Sequence, residues 1–293
     1  MLLSKSTPQT SGFSSNLMNI GSVQNRGVEV MLEGDIIRTD DITWTAGFNI
    51  AFNRSKVKDL AGSEFLTAAD PRSGYDTPVR IVEGKNMYNF YVRDWYGVNP
   101  SNGDGLWYAE DGSLTNDRTK ARYAYIGSPE PKANGGFNTQ FSWKGLSLSA
   151  FFEYSIGNDL FINNVYGWYD DDINVPVNNL LAKDYWKKPG DTATNPKPVV
   201  GSSSVYYAGY SSRFIQDGSY LRIKDVTVSY NLPQNITKKA GMKNVKVYVS
   251  AINPYTFHDV DGVFDPELGS LGYDYGGAYS MVKSFIGGLE ITF

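Results

Sequence analysis

An all-β chain of long antiparallel strands, a portion of a barrel, is what this sequence predicts, and three observations predict it. The 293 residues include 21 Tyr, 15 Phe, 6 Trp and 30 Gly, a composition that suits many strands joined by tight turns and does not suit a helical bundle. Several segments alternate apolar and polar side chains over more residues than soluble strands usually reach. No continuous apolar run reaches the roughly eighteen residues a membrane-crossing helix needs, whereas a membrane barrel crosses by alternation.

Taken in order, the first pattern is Val28, Val30 and Leu32 set against Glu29 and Glu33. From Asp41 to about Lys58, Trp44, Ala46, Phe48, Ile50 and Phe52 share one face, and Thr45, Gly47, Asn49, Ala51 and Asn53 the other. Phe137, Thr139, Phe141 and Trp143 then oppose Asn138, Gln140 and Ser142. After a Lys144-Gly145 turn, Leu146, Leu148, Ala150, Phe152, Tyr154 and Ile156 continue the apolar face, which makes a hairpin. Similar runs follow at Val226–Val228–Tyr230, at Val245–Val247–Val249–Ala251, and at Phe285, Gly287, Leu289, Ile291 and Phe293. In all, about nine strands are expected, each near the ten residues a tilted strand needs to cross a bilayer.

Between them, 61–88, 99–124 and 170–212 have loop composition, with turns at Asn102-Gly103 and Asp111-Gly112 and a short helix expected over Val177–Lys188, ended by Pro189-Gly190. Long loops on one side and short turns on the other are the habit of membrane barrels. Alternation by itself leaves a soluble β-sandwich open as well. Strand length and the polar face carrying Glu29, Glu33, Asn49 and Asn53, suited to a wet lumen, favour the barrel.

Charge and composition narrow the function classes. A formal net charge of −4 gives no electrostatic case for nucleic acid as a partner. With no Cys, neither disulfides nor thiolate metal sites are available. Met1-Leu2-Leu3-Ser4-Lys5 lacks the apolar core and cleavage site of a signal peptide, so a fragment of a longer protein is expected.

The stretch Asn19-Ile20-Gly21-Ser22-Val23-Gln24-Asn25-Arg26-Gly27-Val28-Glu29 closely resembles a stretch of the SusC/RagA family of TonB-linked outer-membrane proteins. The likeness continues through Trp44 to Val57, Ile126-Gly127-Ser128-Pro129-Glu130-Pro131, Asp217 to Lys224, Tyr230-Asn231-Leu232-Pro233, Asn253, Asp265-Pro266-Glu267 and the terminal Phe, in family order over nearly the whole chain. The resemblance implies a TonB-dependent receptor of the outer membrane, with this chain as the C-terminal part of a large plugged barrel. It also implies uptake of glycan or peptide oligomers together with a SusD-like surface lipoprotein that caps the barrel. The TonB complex would act through a plug and TonB box that have no counterpart here. The outer-membrane assembly machinery is expected as a further partner.

Candidate site residues follow. Phe293, with Ile291, Leu289 and Phe285 behind it at period two, resembles the terminal signal read by the assembly machinery; otherwise it is an ordinary last strand. Trp168, Tyr169, Tyr206, Tyr207 and Tyr210, in or beside the largest loop, have the chemistry to contact substrate or the lid, or else to anchor loops and sit in an interfacial girdle. Asp170-Asp171-Asp172 offers oxygen ligands but lacks calcium-loop spacing and reads as a solvated acidic loop, so no cofactor is expected. Asp265-Pro266-Glu267 reads as loop structure rather than chemistry. His258, the only histidine, has Asp259 and Asp261 close by, yet no Gly-x-Ser-x-Gly elbow occurs, and no enzyme activity is expected. The alternative function is a surface-exposed β-sandwich that binds glycans or serves in adhesion.

Overall fold

The computed structural model describes residues 2–6, 10, 12, 15–19, 21–69, 76–162, 184–197, 210–260, 265–267, 271–273 and 280–293. In chain order the strands begin with β1 (Leu2–Ser6), β2 (Ser15–Asn19), β3 (Ser22–Arg38), β4 (Ile42–Asp59), β5 (Leu66–Ala69) and β6 (Asp76–Ile81). Next come β7 (Asn89–Arg93), β8 (Trp95–Val98), β9 (Gly105–Tyr108), β10 (Leu114–Thr115), β11 (Tyr123–Tyr125) and β12 (Ala133–Trp143). The series closes with β13 (Leu146–Ile156), β14 (Asp159–Phe161), β15 (Ile215–Asp217), β16 (Tyr220–Asn231), β17 (Asn244–His258) and β18 (Ser284–Thr292).

Seven of these form one antiparallel sheet in the order β18-β17-β16-β13-β12-β4-β3, an up-and-down meander. Its strands run from 9 residues in β18 to 18 in β4. About nine long strands were expected; among the described residues seven are long, β1 and β2 pair with each other ahead of them, and the remaining strands are short pieces within the loops. The β12–β13 hairpin closes through Lys144 and Gly145, whose φ angles of 44° and 89° are the two left-handed positions of a type I′ turn. Glycine suits the second, because a Cβ there would come within 2.8 Å of the Asn231 carbonyl.

The register turns the alternation into two faces, since directly opposed residues of an antiparallel pair project to the same side. One row crosses the sheet as Trp44, Phe141, Leu148, Val228 and Val249, and the next as Ile42, Trp143, Leu146, Tyr230, Val247 and Leu289. This apolar face is uncovered: Leu32, Phe48, Val228, Val249 and Leu289 are all exposed. A two-sheet sandwich would bury such a face, so the sandwich expectation does not hold and the barrel wall does. Trp143 and Tyr230 lie toward the turn end, and Tyr154, Tyr255 and Phe257 toward the loop end, as interfacial aromatic girdles require. The opposite face is polar, with the row Asp35, Thr45, Gln140, Ser149, Thr227 and Ser250.

Short connections (39–41, 144–145 and 232–243) all fall at one end of the sheet, and the long ones (60–132, 157–219 and 259–283) at the other. The long stretches, expected to be irregular, contain the short strands. Their core gathers Val79, Phe90, Val92, Trp107 and Ala121 from the first loop, Leu160, Phe161, Ile162 and Phe214 from the second, and Val260 and Tyr273 from the third. The loops therefore make one packed layer above the wall. The helix expected over Val177–Lys188 is corrected where it is described. Asp184–Lys188 is not helical; Tyr185 bridges Asn195, and Trp186 covers Gly103 while its indole donates to the Pro100 carbonyl at 2.9 Å. Packing onto the 99–104 turn outweighs local helical preference there. Residues 177–183 lie outside the described residues.

Candidate functional site

The polar face and the loop layer meet at a charged cluster on β16. Ordinary alternation points Leu221 and Ile223 outward and Arg222 inward, and a β-bulge then inserts Lys224, so that Asp225 also faces inward and Val226 outward. Arg222 and Lys224, spaced two apart, meet Asp265 and Glu267, also spaced two apart, on the loop between β17 and β18. The Arg222 guanidinium, 1% exposed, donates to Asp265, and its Nε lies 3.2 Å from Glu267 Oε2 without being aligned to donate. Lys224 Nζ reaches Glu267 at 2.8 Å and Glu153 at 3.0 Å, and the Tyr220 hydroxyl donates to Glu153 at 3.0 Å.

Asp265 shows how the cluster balances. Burial works against its ionisation, but the Arg222 guanidinium and the backbone N–H groups of Met281 (2.9 Å) and Glu267 (3.1 Å) outweigh it and hold the carboxyl below the usual range. Asx-type bonds do the same for more exposed acids: Ser219 donates through both side chain and backbone to Asp217 and lowers it. Asp159 goes the other way. Burial raises it, although Ser128 N–H donates to it at 2.8 Å.

Beside this cluster a cavity of about 610 Å3 opens on the polar face, lined by Asn25, Asn53, Ser55, Glu130, Glu153 and Tyr220 among others. That volume is of ligand size. Glu130 is held by the Ser55 hydroxyl and by Met87 N–H at 3.1 Å. The neighbouring Ser128 exchanges bonds with Asp159, which joins the first loop to the second. The cavity lining mixes hydrogen-bonding groups with a somewhat larger apolar surface.

Of the sequence-derived candidates, Phe285, Leu289 and Ile291 lie on the outward face of β18, paired with Ala251, Val247 and Val245, and Phe293 follows the strand by one residue, 75% exposed. Tyr210 packs edge-on against Phe161 at 5.6 Å, and its carbonyl accepts from Arg93 N–H at 2.9 Å; it sits against the loop-layer core. Trp168, Tyr169, Tyr206 and Tyr207 lie outside the described residues, as do Asp170, Asp171 and Asp172. His258 pairs with Tyr220 at the end of β17. The ionic cluster is what sequence reasoning missed. Asp265-Pro266-Glu267 is more than loop structure, and two acids matching the spacing of two cations on a strand was the available signal.

No family model matches the chain. Among curated proteins it is similar to TonB-dependent receptor P3 of Formosa agariphila (28% identity, all of this chain, 31% of the relative). It is also similar to the TonB-dependent receptor SusC of Bacteroides thetaiotaomicron (26% identity, all of this chain, 29% of the relative). Among solved structures it superposes on the RagAB peptide transporter with a TM-score of 0.82 at 27% identity, and on the RagAB peptide importer in its open-open state with 0.83 at 26%. All of this chain and about a third of each solved chain (32% and 31%) are covered. The chain thus spans less than a third of the curated relatives' length, and those relatives are TonB-dependent receptors.

Proposed function

We propose that this chain, which matches the C-terminal part of SusC/RagA-like receptors, forms the C-terminal wall of an outer-membrane barrel that imports glycan or peptide oligomers. The observation that carries the reading is the seven-strand meander with an uncovered apolar face, a polar face and all its long loops at one end. Residues 1–293 are one barrel portion, and the plug and TonB box belong elsewhere in a longer protein. A SusD-like surface lipoprotein caps the loop layer, and the TonB complex supplies energy through the plug. The chain needs no cofactor and performs no covalent chemistry. Trp168, Tyr169, Tyr206 and Tyr207 contact substrate or lid, while Tyr210 anchors the loop layer. Phe285, Leu289, Ile291 and Phe293 present the outward terminal pattern to the assembly machinery.

The deciding experiment expresses the complete receptor with its genomic neighbours and follows outer-membrane residence and uptake of labelled oligomers. Residence in the detergent-extracted outer-membrane fraction, with uptake lost when TonB is deleted, is expected. A soluble protein, or uptake indifferent to TonB, would overturn the reading. Deleting Phe293 should lower the assembled fraction; unchanged assembly would remove the terminal-signal assignment alone.

A further inference from the structure

The four-stranded sheet of the loop layer, ordered β11-β7-β6-β5, has two dissimilar faces. Val79, Phe90 and Val92 enter the loop-layer core. On the other face Arg80 is clamped: its guanidinium carbon lies 3.9 Å from the centre of the Phe65 ring and 3.8 Å from that of Tyr91. Tyr91 in turn stacks on Tyr123 at 5.1 Å and 16°. Because β7 lies between β6 and β11, Arg80 and Tyr123 approach the Tyr91 ring from opposite sides, and both of its faces are occupied. Lys85 Nζ lies 4.8 Å over Tyr125 and Arg93 4.6 Å over Tyr123.

A guanidinium covered on both flat sides keeps its charge and turns its N–H edge outward. Among the described residues no carboxylate lies within ion-pair distance of Arg80 or Lys85. Nor does the Tyr91 or Tyr123 hydroxyl have a hydrogen-bond partner among them. Stacking has fixed these groups in place before any ligand arrives, which removes an ordering cost from binding. Burial raises the Tyr125 hydroxyl, and the charge of Glu64 adds to the rise.

We infer that this face, centred on Arg80 with Lys85 and the Tyr91 and Tyr123 hydroxyls, is a binding site for the acidic group of a saccharide, a carboxylate or a sulfate. A forked guanidinium edge and an ammonium suit the anion, and two unpaired phenol hydroxyls suit a polyhydroxylated neighbour. The rings pack on each other and on cations, which leaves edges rather than slots for peptide side chains. The inference deepens the uptake reading as to ligand class. Its readout is equilibrium binding, so a receptor that binds but does not transport overturns the uptake reading and leaves this one standing.

The test is calorimetric titration of the detergent-solubilised receptor carrying this chain with a galacturonate oligomer, its fully methyl-esterified form, a sulfated galactan oligomer and a polyglutamate peptide. Binding of an acidic saccharide, absent for the neutral ester and weakened about tenfold by Arg80→Gln, is expected. Which acidic saccharide binds identifies the anion. Lys85→Gln, at an exposed position that leaves the stack intact, should weaken the same ligand, and Glu64→Gln should strengthen it. Equal binding of acid and ester, tighter binding of polyglutamate, or wild-type affinity in both Arg80→Gln and Lys85→Gln would overturn the inference.

Discussion

Arg222 is the residue whose replacement should be felt most. Methionine there keeps much of the packing volume but leaves Asp265 a buried acid without its cation, a change that costs about 3–5 kcal/mol in comparable sites. Urea unfolding of Arg222→Met in detergent should show a loss of that order; a midpoint within error of wild type would remove the cluster from the stability account. The pH sense follows from the depressed Asp265 carboxyl. Its contribution is complete above the ordinary carboxylate value of 3.8 and is lost as pH falls through the lower folded value. Asp159 has the opposite sign. Its folded value is raised, so stability is greatest below 3.8 and declines as pH rises toward that folded value. Asp159→Asn keeps an acceptor for Ser128 N–H without the buried charge, and its melting temperature at neutral pH should match or exceed wild type. A clear fall would mean that the charge itself is used. Asp265 stood out in the sequence only as part of a loop motif and Asp159 not at all, because burial and partner choice depend on loops that meet only in the fold.

At the scale of the element, period two is strong enough to be read directly. Strand β4 was expected from Asp41 to about Lys58 and runs Ile42–Asp59, and the β12–β13 hairpin turns at Lys144-Gly145 as its residues require. The bulge in β16 was less visible, although two adjacent charged residues between Ile223 and Val226 mark the place where alternation slips. The two faces make a sharp prediction for consecutive residues. Leu148→Arg puts a cation on the apolar face, which near a bilayer midplane costs about 2–4 kcal/mol. Ser149→Arg puts it on the polar face, beside Glu33 and Asp225 around one small cavity, and should cost little. Heat-modifiability on gels separates them: loss of the folded band in the first variant only is expected, and equal loss in both would contradict the assignment of faces.

At the scale of the whole molecule, the wall was legible and the loop layer was not. Strands of two to six residues give no periodic signal, and residues such as Phe161 and Tyr273 show their purpose only when three loops converge. Three of the segments that resembled a family turn out to be tie points. Ser128 joins the first loop to the second, Asp217 and Ser219 fix the approach to β16, and Asp265 and Glu267 pin the third loop to the wall.

The shared core of that layer also sets an order of assembly. The β12–β13 hairpin closes across two residues, a contact formed early and at small entropic cost. Phe161, by contrast, must meet Phe90, Phe214 and Tyr273, partners that become neighbours only after β4 has found β12 and β13 has found β16. The loop layer is therefore the last region to gain order and the first to lose it. Trp107, fully buried there, reports on it. In a variant that keeps Trp107 as its only tryptophan, fluorescence should change in rising denaturant before the circular dichroism of the sheet fades, and a single coincident transition would mean that wall and layer fold as one unit.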